Sequence, residues 1–175
     1  PSDGLSDGGG AVVDWAFSIQ ARLGGAHEGF AQAAYDLNTF AFYAIYSAFR
    51  NPPGLGGADR IYSRLTDGAD RGTWFDIPAA NGDIVGIPWW DTDLLTGERV
   101  LFAGTSAGWI YQWIDPGPGA GAVAPAWSRR VDEDPGAGST LIDEITSPLI
   151  SDGTKLYFGG RIGGAFKVYG IRIAD

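Results

Sequence analysis

The chain has 175 residues, 45% of them apolar and 13% aromatic, with a net charge of −9 and no cysteine. This composition supports one domain with a packed core and excludes a wholly disordered chain. It also makes phosphate backbones and anionic membranes poor partners, and rules out disulfides, thiolate metal sites and cysteine nucleophiles.

The 28 glycines and 10 prolines follow no Gly-X-Y period and accompany seven tryptophans. Many turns with many aromatics indicate an all-β protein. Residues 1–14 (opening PSDGLSDGGG) read as an exposed linker. There is no methionine, so the sequence does not start at an initiation codon and reads as a processed or excised piece.

The first unit is expected over 15–67. It starts with a Trp-led strand, WAFSI (15–19), and continues through the glycine-rich loop LGGAHEGF. That loop holds His27, the single histidine, which reads as an exposed loop residue next to Glu28. Then come AQAAYD (31–36), Phe42-Tyr43-Ala44-Ile45, the insertion RNPPGLGG, Ile61-Tyr62 and Asp67. Residues 30–49 are Ala-rich and stop before Pro52-Pro53, as a helix would, and periodicity alone does not separate a buried strand from a buried helix. The repeat register described below favours strands. Phe40–Phe49, the longest dense apolar run, is about half a membrane helix in length, so no membrane insertion is expected.

The second unit, 74–115, runs WFDI, GIPWWD, VLFAG, a TSAG turn, Ile110-Tyr111 and Asp115. Its loop DTDLLTGE places Asp91, Asp93 and Glu98 as hard oxygen donors for a possible Ca²⁺, though the spacing is not that of an EF-hand. The plain alternative is a polar hairpin loop turned by Thr96-Gly97. Trp89 and Trp109 are candidates for stacking on a planar or sugar ligand; Trp90 and Trp113 read as packing.

The third unit, 127–175, runs WSRRV, the acidic VDEDPG, TSPLISD, KLYFGG, a glycine turn and Val168-Tyr169. GGRIGG lies inside a hairpin and precedes no helix, so it makes a poor phosphate cradle. Trp15, Trp74 and Trp127 recur every 53 to 59 residues and are expected to pack between neighbouring units. The order Trp strand, strand ending in Asp, aromatic hairpin thus occurs three times.

In the third unit, Trp127, Ser147-Pro148, Asp152-Gly153, Leu156-Tyr157-Phe158-Gly159 and Val168-Tyr169-Gly170 resemble the PQQ-like (quinoprotein-type) β-propeller repeat. The second unit resembles it less closely and the first is degenerate. The resemblance implies three four-stranded antiparallel blades of an incomplete ring, completed by a protein partner or a second copy, since propellers use four to eight blades. It further implies a noncatalytic structural or protein-interaction module of the periplasm or extracellular space. Two alternatives stand beside it: part of a quinoprotein-type dehydrogenase, whose site would need a quinone, a metal and further blades, and a subunit of an extracellular filament or surface assembly.

Overall fold

In the computed structural model, residues 28–36, 41–50, 58–65, 70–92, 96–117, 121–132 and 140–173 are described. Twelve strands carry the fold: β1 (Glu28–Asp36), β2 (Ala41–Arg50), β3 (Asp59–Leu65), β4 (Asp70–Ile77), β5 (Trp89–Thr92), β6 (Arg99–Gly104), β7 (Trp109–Ile114), β8 (Trp127–Arg130), β9 (Glu144–Ile145), β10 (Ile150–Ser151), β11 (Lys155–Ile162) and β12 (Ala165–Arg172). Among the described residues the protein is all-β, apart from one 3-10 turn at Ala79–Asn81, and no helix is long and apolar enough to cross a membrane. Residues 30–36 and 41–49 are strands, the state that the repeat register favours.

The strands form three antiparallel sheets: β1-β2-β3-β4, β5-β6-β7-β8, and a third built around β11. In the third, β12 runs along one side of β11. The two short strands β9 and β10 pair with its other side at Gly160–Arg161 and Tyr157–Leu156, as one interrupted strand. The second sheet repeats this plan: Ile84 bridges Thr105 ahead of β5, with Gly86 to Pro88 making the interruption.

Two features depart from the sequence pattern. That pattern puts a Trp-bearing strand at the head of each unit, yet β4, with Trp74, pairs back onto β3, and β8, with Trp127, pairs back onto β7. Each therefore completes the preceding sheet instead of opening the next. The first repeat copy is also shifted. Pairing Ala48 with Ile61, Gly104 with Ile110 and Gly159 with Val168 makes Ile45–Ala48, not Phe42–Ile45, the counterpart of Leu101–Gly104 and Leu156–Gly159. The alanine-rich run around these residues has no landmark that sets its register.

Successive side chains of a strand point to opposite faces, so each sheet has two sides to cover. Tyr46, Ala48, Ile61 and Ile77 of the first sheet pack with Leu101, Ala103, Tyr111 and Trp113 of the second. The alternate residues of the second sheet, Val100, Phe102 and Ile110, pack with Ile145, Leu149, Leu156 and Phe158 of the third. The second sheet is thus enclosed on both faces, which explains why VLFAG is apolar without alternation: positions 100–104 are all buried. The buried hydroxyl of Tyr46 donates to Asp115, and the Ile84 amide donates to Asp59 Oδ2 at 2.6 Å, so polar contacts also join the first two sheets.

Candidate interaction surface

The registers define one recurring set of positions. On the side of the first sheet that meets the second, Tyr46 lies opposite Ser63 and Ala48 opposite Ile61. On the side of the second that meets the third, Phe102 lies opposite Gln112 and Gly104 opposite Ile110. In the third sheet the same places hold Tyr157 opposite Gly170 and Gly159 opposite Val168. An aromatic ring, a small residue and a β-branched residue therefore occupy the forward face of every sheet.

The small residue makes room for the next sheet. A Cβ on Gly104 would come within 3.1 Å of Ile145 Cδ1, which sits over this position. Ile84 and Ile145 are equivalent residues, both in the interrupted strand and both buried. Coverage of the face then differs by sheet. Phe102 and Ile110 are both 0% exposed, whereas Tyr157 is 37% and Val168 83% exposed. Phe166 (71%) and Ile150 (53%) share this outer face, since they pair with Arg161 and Tyr157. Ile150, Tyr157, Phe166 and Val168 thus form a contiguous apolar face with no sheet over it among the described residues.

Its rim is polar and internally ordered. Asp152 closes the turn before β11: its Oδ1 accepts from the Thr154 amide at 2.9 Å, the Thr154 hydroxyl at 2.8 Å and the Lys155 amide at 2.8 Å. Its Oδ2 accepts from the Tyr157 hydroxyl at 2.8 Å. Those donors, led by the Thr154 amide, hold the Asp152 carboxyl well below the usual carboxylate range, and the same carboxylate raises the Tyr157 phenol. A depressed folded-state pKa favours the fold above the ordinary carboxylate range, and this contribution fades as pH falls below that range toward the depressed folded-state value. Tyr157→Phe removes one donor, so the Asp152 titration midpoint moves up toward the ordinary value; carbon-detected NMR titration reads this, and an unmoved midpoint refutes the contact. At the far end of the face, Arg161 pairs with Glu144 at 2.6 Å and lies over the Phe166 ring at 5.8 Å.

Motif residues of the third unit are thus spent on folding. Asp152-Gly153 makes a turn with Gly153 at φ +86°, and the Ser147 hydroxyl accepts from the Gly159 amide at 2.8 Å. Of the expected Ca²⁺ donors, Asp91 Oδ1 accepts from the Thr92 amide and Glu98 Oε2 from the Thr96 hydroxyl, while Asp93 lies outside the described residues. Among the described residues no three metal-ligating side chains converge.

Of the tryptophans, Trp89 and Trp127 pack, partly buried, against the cluster between the second and third sheets. Trp109 packs against the cluster between the first and second, where its ring lies 6.5 Å from that of Tyr111. Trp74 lies on β4, where only its backbone is described, and Trp15 and His27 lie outside the described residues.

A cavity of about 420 Å³ between the outer edges of the second and third sheets is lined by Arg129, Arg130, Val131, Asp132, Gly170, Ile171 and Arg172. Its guanidiniums brace the sheets. Arg129 stacks over Trp127 at 4.9 Å and donates to the Arg172 carbonyl at 3.0 Å, and Arg130 donates to the Ala107 carbonyl at 3.2 Å.

Sequence reasoning does not find Ile150, Tyr157, Phe166 and Val168 as a surface. Their signal is present in the repeat, because Tyr157 and Val168 align with Phe102 and Ile110, but alignment does not say which copy goes uncovered. No family model, no curated protein and no solved structure matches this chain.

Proposed function

We propose that the chain is a noncatalytic structural or protein-interaction module, its three sheets serving as successive blades of a PQQ-like β-propeller in the cell envelope or extracellular space. The observation that carries this reading is the forward face, built the same way in all three sheets, covered in two and open in the third. A sheet that stacks face to face on its neighbour extends naturally into a longer series, and an open end needs a partner. The motif residues that suggest a quinone-type blade make turns and packing contacts in the third unit, which accords with a scaffold. The placement outside the cytoplasm rests on the resemblance of the third unit to that repeat.

The test is a dye-linked dehydrogenase assay of the full chain supplied with pyrroloquinoline quinone and Ca²⁺, alongside calorimetric titration with each. The expected result is no turnover and no heat of saturable binding. Turnover with any alcohol or aldose would replace this reading with the dehydrogenase one.

A further inference from the structure

We propose that the open edge of β12 takes up this chain's own segment 15–19, WAFSI, as the fourth strand of the third sheet. The inference deepens the stacked-module reading above and names what completes the unfinished sheet. The first and second sheets each end on a strand that carries one of the recurring tryptophans, β4 with Trp74 and β8 with Trp127. The third sheet ends on β12, and among the described residues no strand pairs with its other side. Three segments open on the recurring tryptophans, at Trp15, Trp74 and Trp127, and there are three sheets. Two of those segments close the two complete sheets, which leaves WAFSI, outside the described residues, and the edge of β12.

The hydrogen bonds of the third sheet set the direction of that edge. The Ile173 amide donates to the Thr154 carbonyl, toward β11, and the Gly159 amide donates to the Ser147 hydroxyl, away from β12. Backbone groups alternate in direction along an antiparallel pair, so those of Phe166, Val168 and Gly170 point away from β11. The next outward carbonyl, that of Arg172, accepts from the Arg129 guanidinium at 3.0 Å, and the open stretch ends there. Such a row of backbone donors and acceptors is a template for an added strand.

The second sheet supplies the register. There Trp127 lies opposite Gln112 and Arg129 opposite Ile110, and Gly170 and Val168 hold the places of Gln112 and Ile110 in the third sheet. The same register sets Trp15 opposite Gly170, Phe17 opposite Val168 and Ile19 opposite Phe166. The glycine leaves room beside the Trp15 ring. Val168 and Phe166, 83% and 71% exposed, gain an aromatic and a β-branched neighbour, pairs that stabilise a sheet. The alternate residues Ala16 and Ser18 then turn toward the second sheet, where the cavity between β8 and β12 is already lined by Arg129 and Arg130. Apolar residues thus fall on the apolar face, and small ones where space is short.

Amide hydrogen exchange followed by NMR tests the pairing on the full chain. The Val168 and Gly170 amides are expected to be protected in the wild type. Phe17→Pro, which cannot donate to the ladder, is expected to speed their exchange at least tenfold, while the Lys167 and Tyr169 amides, which pair with β11, keep their rates. The chain has no cysteine, so the double variant Phe17→Cys with Val168→Cys reads the register directly. Its Cα atoms would lie about 5.5 Å apart, within disulfide reach. It is expected to oxidise at least tenfold faster than Ser18→Cys with Val168→Cys, whose side chains fall on opposite faces. Gel mobility then shows whether the linked segment comes from the same chain or from a second copy, and either result upholds the pairing. Unprotected Val168 and Gly170 amides, protection indifferent to Phe17→Pro, or equal oxidation of the two cysteine pairs would overturn it. An unpaired edge without quinone turnover rejects this inference while leaving the scaffold reading intact, and turnover rejects the scaffold reading whatever the edge holds.

Discussion

Phe102→Ala is expected to lower the unfolding free energy by about 3–5 kcal/mol, while Tyr157→Ala, at the equivalent place one sheet later, lowers it by about 1 kcal/mol or less. The two residues hold the same position in the repeat, so the contrast isolates coverage from local sequence. Phe102 is enclosed between sheets, among Val100, Ile110, Leu156 and Phe158, with the Trp127 ring 6.5 Å away. Removing its ring loses transfer free energy and leaves a cavity that two packed sheets close only in part. Tyr157 stands on an outer face, where water fills the space, and the main loss is its hydrogen bond to Asp152. Urea unfolding followed by tryptophan fluorescence measures both. Equal costs would mean that the second and third sheets do not stack as described.

The second large effect is at Gly108, in the turn between β6 and β7. Its φ is +79°, where an L-residue is strained by roughly 1–2 kcal/mol. A Cβ there would also lie 2.5 Å from the Ile142 carbonyl oxygen, a backbone atom of the segment leading into the third sheet. Gly108 is tied in place as well, its amide donating to Thr105 and its carbonyl accepting from Val131. Neither the turn nor the Ile142 segment can yield without disturbing the sheet contact, so Gly108→Ala is expected to cost about 3 kcal/mol or more. Gly97 is the control. It has φ +73°, but a Cβ added there would meet nothing within 4 Å, so Gly97→Ala is expected to show the backbone strain alone. If the two substitutions cost the same in urea unfolding, the close approach of Ile142 is refuted.

These contrasts show how far the residues can be read unaided. The aromatic hairpins LFAG…IY and LYFG…VY and the turns at Thr105–Gly108 and Asp152-Gly153 are legible because each depends on residues near one another in the chain, whereas the strands in the alanine-rich stretch are legible only through the repeat. Asp152 as a turn former is a local property of Asp-Gly-Thr-Lys. Trp127 is legible as packing but not as the last strand of its sheet, since a strand with two candidate neighbours is assigned by hydrogen bonds to distant residues. The first copy falls three residues out of alignment for a related reason: its register is held by pairing with β3, not by anything in the run itself.

Short apolar strands with tight turns, their threefold repetition, and an aromatic and a β-branched residue at matching places in the second and third repeats are all written in the residues themselves. Those properties follow from side-chain period, turn chemistry and composition. Which face of each sheet is covered depends on how the sheets stack, a matter of contacts between residues far apart in the chain. Phe102 and Tyr157 are nearly the same residue in nearly the same local sequence, and what separates a core ring from an exposed one is whether another sheet lies over it.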